Sequence, residues 1–227
     1  MRPPPIVAAR ARFAAAGECA RHSYKTPPRS AMADALNSGS PTTMSDALGK
    51  YARRNGLLAG TDKTTTHAYG PLYDALFGPY RERARRVLEI GVHTGASVLA
   101  FADFFVNATI DGVDIDYRDL KFGINHPRIA YYLLDGTSPD TAAKLGGSYD
   151  VIVEDASHRP DHQVASLDAF APRLSPGGVY VIEDIGDVGV RPRLEETAAR
   201  HGLAMEWHDL RGVKGQFDDV VAVFFAK

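Results

Sequence analysis

The sequence holds a single cysteine, Cys19, among 227 residues. A disulfide framework, a cysteine-based zinc site and an iron–sulfur cluster are thereby excluded. Long apolar runs are also missing. None approaches the ~18 residues needed to span a bilayer, and no apolar stretch of signal-peptide form is visible. The expectation is a cytoplasmic protein with no membrane partner. Acidic residues are scarce in one region only. Residues 1–60 carry nine Lys and Arg against three Asp and Glu, leaving 17 basic and 25 acidic residues beyond them. An acidic body disfavours nucleic acid as a partner. Two phosphate-binding signatures are absent as well: there is no Gly-x-Gly-x-x-Gly and no Gly-Lys-Ser/Thr, which argues against a dinucleotide enzyme and a phosphate loop.

What is present suffices for one large domain. A chain of this length buries roughly 70% of its unfolded surface. Residues 1–43 stand apart, with Pro3-Pro4-Pro5, Pro27-Pro28 and a Ser/Thr/Pro cluster. They read as a disordered arm with at most a short helix near Ile6–Ala20, and Met32 or Met44 offers an alternative start. Residues 44–80 read as a helical cap. Ser45 is the expected N-cap of a helix Asp46–Asn55 that stops at Gly56, and a second helix spans Thr66–Phe77. From residue 81 to 227 short β-branched runs alternate with amphipathic stretches. The expected strands are Val87–Ile90, Thr109–Asp114, Ile129–Leu134, Tyr149–Glu154, Gly178–Glu183, Leu203–Trp207 and Val220–Phe225. The expected helices between them are Ala96–Phe105, Tyr117–Gly123, Pro139–Leu145, His162–Arg173 and Arg193–His201. Such alternation predicts an α/β fold: a doubly wound, Rossmann-like, mostly parallel seven-stranded sheet. Gly212 to Gln216 is too short for a crossover, so the last two strands should pair antiparallel.

The first strand runs into Glu89-Ile90-Gly91-Val92-His93-Thr94-Gly95 and then a helix. Glycines at such a turn let backbone approach a ligand closely. An acid at Glu89 suits a ligand bearing positive charge better than a pyrophosphate. Asp114 ends the second strand, where a ribose diol is held in nucleotide folds. Asp135 follows the third strand, within reach of an adenine amine. Taken singly each is an ordinary loop acid; in register, the three single out one nucleoside. This pattern resembles class I S-adenosylmethionine methyltransferases over residues 56–227. The resemblance implies that Gly91 and Gly95 wrap the methionine part, Asp114 binds the ribose and Asp135 lies beside the adenine. Glu89 would support the loop or the amino group.

Strand four ends in Glu154-Asp155-Ala156-Ser157-His158 and strand five in Glu183-Asp184. Ends of adjacent parallel strands share one rim, so Asp155, Glu183 and Asp184 should lie together. Crowded carboxylates repel unless a cation sits between them, and oxygen-only ligands favour Mg²⁺ or another hard divalent ion. His158 is the expected general base, because imidazole is the side chain that exchanges protons near neutral pH. With Gly60-Thr61-Asp62-Lys63 and His67-x-Tyr69, these motifs look like the metal-dependent macrolide-sugar O-methyltransferases of the mycinamicin and tylosin type. There the strand-four motif usually reads Asp-Asp-Gly-Ser-His. Glu154 and Ala156 depart from it, and the Ala stands where the motif's glycine would permit an unusual backbone angle. The resemblance implies transfer of a methyl group to a small-molecule hydroxyl, that of a sugar, and allows a homo-oligomer. A catechol-like acceptor and a nucleoside-binding protein without turnover are the alternatives. The segment Ile185–Pro192 lacks aromatic residues, which leans away from a flat ring.

Overall fold

A computed structural model describes residues 41–53 and 60–227. Residues 1–40, which make up almost all of the expected arm, and Gly56 lie outside the described residues, but the helix expected to run to Asn55 already ends at Lys50. Among the described residues, no helix is long and apolar enough to cross a membrane.

Seven strands form one sheet: β1 (Arg86–Ile90), β2 (Thr109–Asp114), β3 (Ile129–Leu133), β4 (Tyr149–Glu154), β5 (Leu174–Ile182), β6 (Ala204–Asp209) and β7 (Val220–Phe225). Their order is β3-β2-β1-β4-β5-β7-β6. Strands β1 to β5 pair in parallel, and β7 runs antiparallel to both β5 and β6. The Rossmann-like, mostly parallel sheet with a terminal antiparallel pair is therefore present. The helices are α1 (Met44–Lys50), α2 (Gly70–Phe77), α3 (Ala96–Phe104), α4 (Pro139–Leu145), α5 (Pro160–Phe170), α6 (Arg191–Arg200) and α7 (Arg211–Lys214).

Side chains alternate across the strands, so one run of apolar residues feeds two cores. Val87, Val151, Val179 and Val221 face Leu48 of α1, Phe77 of α2 and Phe101 of α3. Leu88, Ile152, Tyr180 and Phe224 face Ala142 of α4, Phe170 of α5 and Leu194 of α6. The order reverses between β1 and β4, which opens a crevice beyond their carboxyl ends.

Four local expectations need correction. Thr43, not Ser45, caps α1: its hydroxyl accepts from the Asp46 amide at 3.0 Å. Ser45 instead spends its amide and hydroxyl on Asp74, both at 2.7 Å. The second helix starts at Gly70 because the Asp62 carbonyl accepts from the amides of Thr65, Thr66 and His67, winding those residues into a turn. Tyr117–Gly123 is not helical. Its Lys121 and Phe122 amides donate to the Thr94 carbonyl, both at 3.0 Å, which ties the segment to the glycine loop. Finally, the short helix α7 interrupts the turn between β6 and β7.

Candidate active site

The glycine loop follows β1. Gly91 has φ +90°, and a Cβ there would lie 2.1 Å from the Asp155 carbonyl oxygen. Gly95 has φ +81° and would collide with the Phe122 carbonyl and the Tyr131 hydroxyl. Both glycines are thus demanded by neighbouring chain as well as by any ligand. Asp114 clamps the loop from the end of β2. Its Oδ2 accepts from the Val92 and His93 amides at 2.8 and 3.0 Å, and its Oδ1 accepts from the Asp116 amide at 3.1 Å.

Beneath the loop Glu89 is fully buried and accepts from the Ser97 hydroxyl at 2.8 Å. Burial pushes its carboxyl up to about 8, against the opposing pull of Lys63. Asp135 sits on the far side of the crevice. The Thr137 hydroxyl and amide donate to it at 2.7 and 2.8 Å and hold its carboxyl below the usual range.

Two cavities lie over these strand ends. One, of about 380 Å³, is lined by Gly91, Thr94, Ser97, Asp155, His158 and Asp184 among others. The other, of about 330 Å³, reaches Ile90, Ile115, Asp135, Gly136, Ser157 and His162. They share Gly91, His93, Asp114, Asp155 and Ala156 and form one cleft. Together they match the size and position of a nucleotide-binding crevice.

At the mouth of the cleft, one donor atom from each of Asp155, His158 and Asp184 lies within 4.8 Å of the others. His158 Nε2 is 4.0 Å from Asp155 Oδ1 and 3.9 Å from Asp184 Oδ2. His158 and Asp184 take left-handed backbone angles, φ 56° and 52°, which are uncommon outside glycine. Ala156 is not among the residues of positive φ, so its substitution for glycine carries no backbone strain. Burial, then the charge of Asp155, pushes the Asp184 carboxyl up. The two acids fit a hard divalent cation, which would relieve their mutual repulsion and leave the imidazole beside it.

Glu183 is placed differently from the expectation. It is buried and pairs through Oε2 with Lys63 Nζ at 2.5 Å, outside the Asp155–His158–Asp184 group. Burial carries its carboxyl up to about 7. Lys63 also pairs with Asp155 Oδ2 and lies 3.8 Å from Glu89 Oε1. Burial opposes the lysine charge, but Asp155, Glu183 and Glu89 together hold the ammonium well above its ordinary value. Removing either side of such a pair leaves an uncompensated buried charge, which is strongly destabilising. Glu154, also buried, is pushed up to about 8 by burial and by Asp155.

Two contributions, those of Lys63 and Asp219, went unread in the sequence. Lys63 stands within a quoted motif, but only the surplus of acids at the strand ends hinted that a cation was needed. Asp219 is fully buried with its Oδ1 2.6 Å from His67 Nδ1. Tyr69 stacks on His67 at 5.1 Å and donates its hydroxyl to Asp184. The rim also gains an aromatic ring from outside Ile185–Pro192: exposed Phe217 lies against Gly186.

A family model described as a methyltransferase domain matches residues 88–185. Among curated proteins, the chain is 33% identical over 136 residues to the 8-demethyl-8-alpha-L-rhamnosyl tetracenomycin-C 2'-O-methyltransferase of Streptomyces olivaceus. That match covers 56% of this chain and 35% of the relative. It is 35% identical over 126 residues to the mycinamicin VI 2''-O-methyltransferase of Micromonospora griseorubida, covering 52% of this chain and 32% of the relative. The chain therefore spans about a third of the length of these relatives. Among solved structures, the MycE methyltransferase of the mycinamycin biosynthetic pathway, in complex with Mg and SAH, superposes with a TM-score of 0.61 at 25% identity. It covers 82% of this chain and 55% of that one.

Proposed function

We propose that the protein, whose residues 88–185 match a methyltransferase domain, is a class I S-adenosylmethionine-dependent, divalent-cation-dependent O-methyltransferase acting on a sugar hydroxyl of a small glycosylated acceptor. The observation that carries the reading is the meeting of Asp155, Asp184 and His158 at the mouth of the glycine-loop cleft. The sugar-directed names of the relatives support a sugar acceptor.

When bound, S-adenosylmethionine supplies an electrophilic methyl group and a divalent cation supplies charge that acidifies an alcohol. The chain's own residues do the rest. The Gly91–Gly95 turn would seat the amino-acid part of the donor, with Glu89 supporting it from below. Asp114 would bind ribose hydroxyls. Its oxygens already accept from three amides, but a carboxylate offers about four lone-pair sites. Asp135 would lie at the adenine end. Asp155 and Asp184 would hold the cation with their cleft-facing oxygens, while Glu183 stands behind them, bonded to Lys63 through Oε2 with its Oε1 unpartnered. His158 Nε2 takes the proton of the acceptor hydroxyl, and its side chain is 40% exposed, open to an incoming alcohol. Alignment of the reacting oxygen is then the main task left to the site.

The test is transfer of labelled methyl from S-adenosylmethionine to a panel of glycosylated polyketides and free sugars, with Mg²⁺ or with EDTA. Transfer to a sugar hydroxyl is expected, lost in EDTA and restored by Mg²⁺, while calorimetric donor binding survives EDTA. His158→Ala should leave donor binding nearly unchanged and lower kcat by ~10²-fold or more. Absence of donor binding under both conditions would sink the reading.

A further inference from the structure

Two side chains from one short segment, residues 60–69, reach the back of the carboxylate corner. Lys63 Nζ pairs with Asp155 Oδ2 and with Glu183 Oε2. The Tyr69 hydroxyl donates to Asp184 Oδ1. His158 meets the other oxygen of each acid: Oδ1 of Asp155 and Oδ2 of Asp184. Each carboxylate is therefore held from behind by one oxygen and offers the other to the cleft.

We propose that Lys63 and Tyr69 are positioning residues that fix which oxygens of Asp155 and Asp184 face a divalent cation. The inference rests on the cation-dependent reading above. Its physical basis is torsional. The terminal torsion of an aspartate is broad and two-fold, so the backbone alone does not choose an oxygen. A buried partner does. Lys63 is 2% exposed and Tyr69 is fully buried, so neither side chain can wander. The Tyr69 ring is sandwiched between His67, at 5.1 Å, and Tyr73, at 6.2 Å, which fixes the position of its hydroxyl. Lys63 is centred among three acids, Asp155, Glu183 and Glu89. Partners that orient ligand side chains in this way typically govern metal affinity by about 10- to 100-fold.

A purely structural role makes a different prediction, because it affects folding and leaves the affinity of the folded protein alone. A purely electrostatic role for Lys63 differs again, since removing a positive charge next to Asp155 should tighten cation binding. The experiment titrates Mn²⁺ into the full chain without acceptor or methyl donor, following free Mn²⁺ by electron paramagnetic resonance. The proteins are wild type, Tyr69→Phe and Lys63→Met, each first shown to be folded by thermal melting. Tyr69→Phe should weaken Mn²⁺ binding about tenfold or more, with binding of S-adenosylhomocysteine unchanged. Lys63→Met should weaken it too, despite the lost positive charge. If Lys63→Met does not fold, Tyr69→Phe decides alone. Wild-type Mn²⁺ affinity in folded Tyr69→Phe overturns the proposal, and tighter binding by folded Lys63→Met overturns its lysine half. A wild-type chain that binds no Mn²⁺ overturns the cation reading and this inference together.

Discussion

Glu89 is an acid buried away from solvent. Its folded carboxyl titrates at about 8 instead of the ordinary 4.5. Between those values the folded protein keeps a proton that the unfolded chain has released, so stability falls as pH rises through the window. Glu89→Gln removes that penalty. The variant's melting temperature relative to wild type should climb from roughly pH 5 to pH 8; a flat difference would show that Glu89 is not the group responsible. Residues of this kind were legible in the sequence only where a strand end announced them. Glu89, Asp114, Asp155 and His158 each sit at the carboxyl end of a strand whose β-branched run could be read directly. Lys63 and Asp219 could not be read that way. Their importance lies in partners 92 and 152 residues away, Asp155 and His67 respectively. Glu183 shows the converse limit: its place on the rim was legible, but its choice of Lys63 over the cleft depends on a segment that precedes the sheet.

Elements tell a similar story at a coarser grain. Helix α1 buries Met44, Ala47 and Leu48 but carries exposed Gly49 in its last turn, with open space where a Cβ would go. Gly49→Ala should therefore stabilise the protein by about 0.5–1 kcal/mol, seen as a higher urea midpoint with an unchanged slope. A lower midpoint would mean that the helix packs more tightly there than described. Strands β2, β4 and β7 have the bounds expected from their patterns because two cores hold their alternating faces. The segment Tyr117–Gly123 looked helical by composition, yet its amides bond to Thr94 and its Gly123 takes φ +70°. Tertiary contact with the glycine loop overrides a weak local preference. Lys214 illustrates the same override: its ammonium donates to the carbonyls of Thr64, Thr65 and His67, pinning the 60–69 turn from α7.

Across the molecule, the parallel order of β1 to β5 was legible because β and α patterns alternate and right-handed crossovers leave few topologies. The insertion of β7 between β5 and β6 was only half legible: antiparallel pairing of the last two strands was expected, but the position of each was not. Charge adds a prediction at this scale. The 25 acidic residues beyond residue 60 outnumber the basic ones there by eight, and their summed field should draw cations toward the cleft. Divalent affinity should then fall about threefold or more between low and physiological salt. Insensitivity to salt would confine the attraction to the first ring of ligands.

The bonds that complete the carboxylate corner also have a direction in time. Residues 60–69 leave the ribosome before the acids they hold, which arrive 92, 120 and 115 residues later, with Asp219 later still. A nascent chain thus carries its lysine and tyrosine long before it has anything for them to grip. Closing such long loops is slow compared with forming a helix. The sheet can assemble while the cleft is still unfinished, so the closed carboxylate corner should be the last feature a newly made molecule acquires.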